Sequence, residues 1–146
     1  MNELYANWSK LSLIIRNLYS LQGLEDHIDY DISYLEKAYF KVERLWFKAF
    51  DNINAIQLLL FAEAPMYGPK KSYFYNPAAG GTAFFTYVDA EEIVGPLTDH
   101  SKLINGIRPR KLKMLNELCK AGLLIVDLFP FALKPDFTKI DYSKMD

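Results

Sequence analysis

Little in this chain points to disulfides, a bound metal or a strong electric field. The single cysteine, Cys119, excludes an internal disulfide framework and any cysteine-based metal cluster, and it fits a reducing compartment. His27 and His100 stand apart, with no HExxH and no Cys/His pairing, so no zinc site is expected. There is no G-x-G-x-x-G, no P-loop and no G-x-S-x-G. Neither a cofactor nor a hydrolase nucleophile elbow is therefore expected. The formal net charge is −1, so no overall field draws in nucleic acid, and contact with a polyanion needs a local basic patch. No apolar run approaches the ~20 residues of a membrane span. The N-terminus also lacks the basic region and apolar stretch of a signal peptide. The expectation is a cytoplasmic protein that makes no membrane contact.

What the chain does have is aromatic side chains and apolar bulk. Ten Tyr, ten Phe and two Trp fall in 146 residues, and 51% of residues are hydrophobic, enough for a packed core. The length suits one domain spanning 1–146. It divides into a helical part at 1–52, an α/β core at 53–135 and a polar tail at 136–146.

Leu4, Trp8, Leu11, Ile15 and Leu18 follow helical spacing, and Gly23 helps to end that helix. Ser33 and Glu36 match a capping box, which predicts a second helix starting near Asp31 or Ser33. Its buried stripe is Leu35, Ala38, Val42, Leu45 and Ala49, widened by Trp46, Phe47 and Phe50. Ile56–Ala62 reads as a strand buried on both faces. A loop rich in Pro, Gly and Tyr runs from Glu63 to Thr82, a length that is often functional. Ala83–Val88 reads as a short strand, Asp89–Gly95 as a single helical turn, and Ser101–Ala121 as a helix interrupted at Pro109. Leu123–Leu128 is the second strong strand, entered through Gly122. Strands separated by helices predict an α/β fold of three layers. In it a short parallel sheet is flanked by helices and preceded by two N-terminal helices. Two strong strands are few for a sheet, so an incomplete domain is also an expectation.

Both strands end in a carboxylate and reach a proline turn: Glu63 and Pro65 after the first, Asp127 and Pro130 after the second. Ligand crevices in open α/β sheets lie beyond the strands' carboxyl ends. A carboxylate there can hold a base edge, position a water or act as a base, or it can simply cap a turn. Tyr73, Phe74 and Tyr75, followed by Asn76, form a cluster near this rim. They would either stack on a flat heterocycle or pin the loop to the sheet. Arg108, Arg110 and Lys111 belong to the one basic cluster, which suits either phosphate contact or a solvated helix face.

Ala62-Glu63-Ala64-Pro65 after an apolar strand resembles the first motif of the thermophile-type uracil-DNA glycosylases. Tyr73-Phe74-Tyr75 is similar to the aromatic triplet of divergent members of that superfamily, and Leu124–Leu128 resembles its middle strand. The resemblance covers about residues 56–135. It implies a crevice that binds a nucleobase or nucleotide and DNA as a partner. Glu63 would position water, Phe74 would stack on a flipped base, and Pro65, Met66 and Asp127 would lie at the ligand. The family pattern has glycine where this chain has Ala62 and asparagine where it has Asp127. The family's late histidine motif and fourth strand have no counterpart here. A second reading is a non-catalytic α/β interaction domain that self-associates through its aromatic-rich N-terminal helices.

Overall fold

The computed structural model describes residues 2–65, 72–80, 85–97 and 102–128, with side chains from Asn7 onward. Trp8, Leu11, Ile15 and Leu18 share one face of α1 (Asn2–Leu21) and bury it against Ile28, Leu35 and Tyr39 of α2 (Glu25–Phe50). The turn between the two helices reverses direction in three residues. Leu24 N donates to Tyr19 O at 2.8 Å and Gly23 N to Ser20 O at 3.0 Å, with Gly23 at φ +67°. This is the Schellman arrangement, which needs a left-handed residue at the glycine position.

The chain re-enters a helix at once, so α2 begins earlier than the Ser33/Glu36 pair predicts. Glu25 and Asp26 favour its N-terminus through the helix dipole. Ser33 lies inside the helix, and Asp31 is buried, accepting a 3.0 Å hydrogen bond from Tyr19 Oη. The capping signature is overridden because the tight turn already supplies the nucleus.

The sheet among the described residues has two strands, β1 (Leu58–Ala62) and β2 (Leu123–Asp127), paired in parallel. The register runs from Leu58 opposite Leu123 to Ala62 opposite Asp127. Leu123 and Ile125 point into the main core with Val42, Met114 and Leu118, and Leu60 and Ala62 pack onto it. The fold is therefore α/β, a short parallel sheet flanked by helices and preceded by two N-terminal helices. β1 is half-exposed rather than covered on both faces as its apolar sequence suggests.

The chain between the strands departs from expectation in two places. Tyr87 and Val88 do not extend a strand; they open α3 (Tyr87–Val94), capped by a reciprocal Thr86–Asp89 box. The helix expected from Ser101 starts only at Pro109, as α4 (Pro109–Lys120). Before it, Ile104 and Ile107 pair across Asn105-Gly106, both left-handed at φ 48° and 77°. Asn-Gly is a strong two-residue hairpin signal, and Pro109 suits a first helical position. Met66, Pro130 and the 136–146 tail lie outside the described residues. No described helix is long and apolar enough to cross a membrane.

Gly122 joins α4 to β2 at φ +79°, and a Cβ there would meet the backbone of Ala55 and Gln57. Gly23, equally left-handed, faces open space. Gly122→Ala should lower the unfolding free energy by at least about 2 kcal/mol, from strain plus overpacking, and Gly23→Ala by about 1 kcal/mol. Urea denaturation of the two variants checks the ordering.

Candidate functional site

The parallel ladder divides the backbone groups of each strand between two edges. Leu58 N donates to Gly122 O at 3.2 Å, and Leu128 N donates to Ala62 O at 2.9 Å. With the register given, Leu58, Leu60 and Ala62 turn their N–H and C=O toward β2, and Leu124 and Val126 turn theirs toward β1. Ile125 therefore faces away from β1, where a third strand would lie. Side chains occupy that place. The Tyr75 hydroxyl accepts from Ile125 N at 2.7 Å and lies 3.3 Å from Ile125 O, and Trp46 Nε1 donates to the same oxygen at 2.9 Å.

This seal sets the next level of the structure. Glu43 precedes Trp46 by three residues, on the same face of α2. Asp127 follows Ile125 by two residues, on the same face of β2. α2 runs opposite to β2 here, so Glu43 comes to Asp127 as Trp46 comes to Ile125. Tyr73 stands to Asp127 as Tyr75 stands to Ile125, the two rings meeting edge to face at 5.8 Å. The lower level is hydrogen-bonded throughout. In the upper level the Tyr73 hydroxyl, on a residue only 2% exposed, has no hydrogen-bond partner.

The electrostatics follow from that arrangement. Burial holds the Asp127 carboxyl up at about 6. Burial also raises the Glu43 carboxyl, and the neighbouring Asp127 charge adds to it. The Tyr73 phenol is pushed well above its ordinary range, first by burial and then by the charges of Asp127, Tyr75 and Glu43. Two carboxyls and a phenol thus share a partly dry corner where a proton is held more firmly than in water. Asp127 alternates near neutral pH between a pure acceptor and a group with one donor and one acceptor.

Glu63 follows Ala62, the register partner of Asp127, so the ends of the two paired strands bring the backbones of both acidic residues to one rim. Glu63 is exposed and Pro65 is buried beside it. Tyr73 to Asn76 forms a turn, with Asn76 N donating to Tyr73 O at 3.0 Å. Phe74 is 6% exposed, edge-on to Tyr75 and Phe85, and Lys111 Nζ lies 4.6 Å from its ring centre. Its position leaves no face to stack on a base. Asn76 is buried, and its side chain accepts from Ala78 N at 3.1 Å, shaping the loop.

The basic cluster is turned inward. Arg108 donates from Nε to Ala78 O at 3.1 Å and from its backbone N to Pro77 O at 2.9 Å. Arg110 pairs with Glu91 at 2.9 Å and lies over the Tyr87 ring. Lys111 is fully buried with no hydrogen-bond partner, and burial lowers its ammonium to about 8. These cations clasp the 72–80 loop and α3 to α4, and Lys111, wholly buried, is not on the surface that a phosphate would meet.

The sequence reading missed Glu43 and the burial of Lys111. Each left a signal. Glu43 falls at helical spacing among Tyr39, Trp46 and Phe50, and Lys111 stands on the stripe of Met114, Leu115 and Leu118. A charged residue on an apolar stripe marks a buried polar group, rarely an accident. Among the described residues no three potential metal ligands come together. No family model, curated protein or solved structure matches the chain.

Two measurements test the two-level arrangement. Tyr75→Phe should cost about 1–3 kcal/mol by stranding the Ile125 N–H, whereas Tyr73→Phe removes an unpartnered hydroxyl and should cost far less. Asp127 also links stability to pH. Its folded-state carboxyl is raised above the ordinary 3.8, so the folded protein binds the extra proton between the two values. Wild-type stability should therefore fall as pH rises from about 4 to about 6. Asp127→Asn should flatten that slope and melt higher than wild type above the window, as thermal melts across pH will read.

Proposed function

We propose that the rim formed by Glu63, Asp127, Glu43 and Tyr73 binds a nucleobase or nucleotide, in the manner of a uracil-DNA-glycosylase-like domain. One observation carries this reading. Asp127 ends β2 with its carboxyl raised to about 6, at the position where the resembled motif has an amide. A protonated carboxyl offers one donor and one acceptor side by side, as an asparagine side chain does. It can accept from a pyrimidine ring N–H and donate to the neighbouring carbonyl. The ionised form repels that carbonyl. The orphaned Tyr73 hydroxyl is a second donor at the same corner. If the domain acts on its ligand, Glu63 at the open side of the rim is the group to position a water for attack on the N-glycosidic bond. The inward-turned cations favour a base or nucleotide over a long duplex as the primary ligand.

Uracil-containing single-stranded and duplex oligonucleotides are the first probes. Binding should tighten on the order of twentyfold between about pH 7.5 and about pH 5.5, following the protonated fraction of Asp127. Asp127→Asn should retain binding and lose its pH dependence. Affinity equal for uracil and cytosine oligonucleotides at both pH values would refute this role. For the hydrolytic step, uracil release unchanged in a Glu63→Gln, Asp127→Asn double variant would exclude both residues.

A further inference from the structure

The two outer edges of the sheet are unlike. On β2, Ile125 is sealed by Tyr75 and Trp46. On β1, the outward N–H and C=O groups belong to Leu59 and Phe61, and no described residue bonds to them. The side chains beside them are apolar and open to solvent: Leu59 is 44% exposed and Phe61 60%, with Ile56 and Leu58 similarly exposed. Strand edges left open in natural proteins usually carry a lysine, a proline, a bulge or a cover. Ile56–Ala62 has no charge and no proline, and its register is unbroken across the strand.

We propose that the open edge of β1 pairs antiparallel with β1 of a second copy, giving a closed two-fold dimer with a continuous sheet β2–β1–β1–β2. The proposal is independent of what the rim binds. Two-fold symmetry pairs a strand with itself only in the antiparallel sense. With the axis at Leu60, Leu59 of each copy lies opposite Phe61 of the other. Each such pair exchanges two backbone hydrogen bonds, using the groups that are open in one copy. The same register sets Glu63 across from Gln57, a carboxylate against an amide donor. Parallel self-pairing would set Glu63 against Glu63. The neutral strand adds no repulsion, and Leu59 beside Phe61 makes an aliphatic–aromatic cross-strand contact. The seal at Ile125 blocks the middle of each far edge of the four-stranded sheet and opposes growth beyond two copies.

Sedimentation velocity across a wide dilution series, with circular dichroism to confirm folding, tests this on the full chain. Wild type should shift from monomer to dimer with concentration. Phe61→Lys, at an exposed position, should raise the dissociation constant by about tenfold or more. The double variant L59C/F61C should form a covalent dimer on mild oxidation. Its facing Cα atoms would lie about 5.5 Å apart, within disulfide reach, whereas neither single variant should cross-link. Native Cys119 is buried and does not compete. A wild type that stays monomeric throughout overturns the proposal. So does a dimer that tolerates Phe61→Lys and resists cross-linking, an outcome that would move the contact to the exposed Leu13 and Ile14 of α1.

Discussion

The hydroxyl of Tyr75, bonded to both polar backbone groups of Ile125, is the contact on which the rest of this structure turns. A two-stranded parallel sheet leaves each strand with one unpaired edge, and buried unpaired backbone costs about as much as a lost hydrogen bond. One phenol satisfies a donor and an acceptor at once, and Trp46 supplies a second donor to the same oxygen. A third strand is thus replaced by two aromatic side chains from a loop and a helix. That substitution fixes α2 and the 72–80 loop against β2. It is also what carries Glu43 and Tyr73 to Asp127, one level higher.

The two levels differ in one respect that matters for function. Around Ile125 every polar atom named has a partner. Around Asp127 the two carboxyls are only partly buried, and the buried Tyr73 hydroxyl has no hydrogen-bond partner. Unmatched buried polar groups are costly, and they concentrate where a ligand completes the set. The same asymmetry runs across the sheet, with one edge closed at Ile125 and the other left unbonded at Leu59 and Phe61 by the described residues. Both proposals grow from places where the chain has left bonding capacity unused.

Much of the fold is legible in the sequence because it follows from periodicity. Trp8, Leu11, Ile15 and Leu18 announce α1, Gly23 announces its end, and the two apolar runs announce parallel strands with acidic ends at one rim. The misreadings have local physical causes. The Ser33–Glu36 signature is a fair capping box, but a Schellman turn started the helix a full two turns earlier. Asn105-Gly106 is a hairpin turn hidden inside a stretch with helical spacing. Arg108 and Arg110 look like a phosphate patch in sequence, where nothing reveals that Ala78 O and Glu91 await them. The site was half legible. Asp127 and Glu63 stand out because strands end there, whereas Glu43 becomes significant only once α2 is known to run against β2.

The account rests on Asp127 sitting in a partly dry corner beside a second carboxyl. Carbon-detected NMR titration of the side-chain carboxyls reads that directly. The account predicts an Asp127 midpoint near 6, with Glu43 also displaced upward and sensing the same transition. An Asp127 midpoint at the ordinary aspartate value near 3.8, with Glu43 titrating independently, would contradict it.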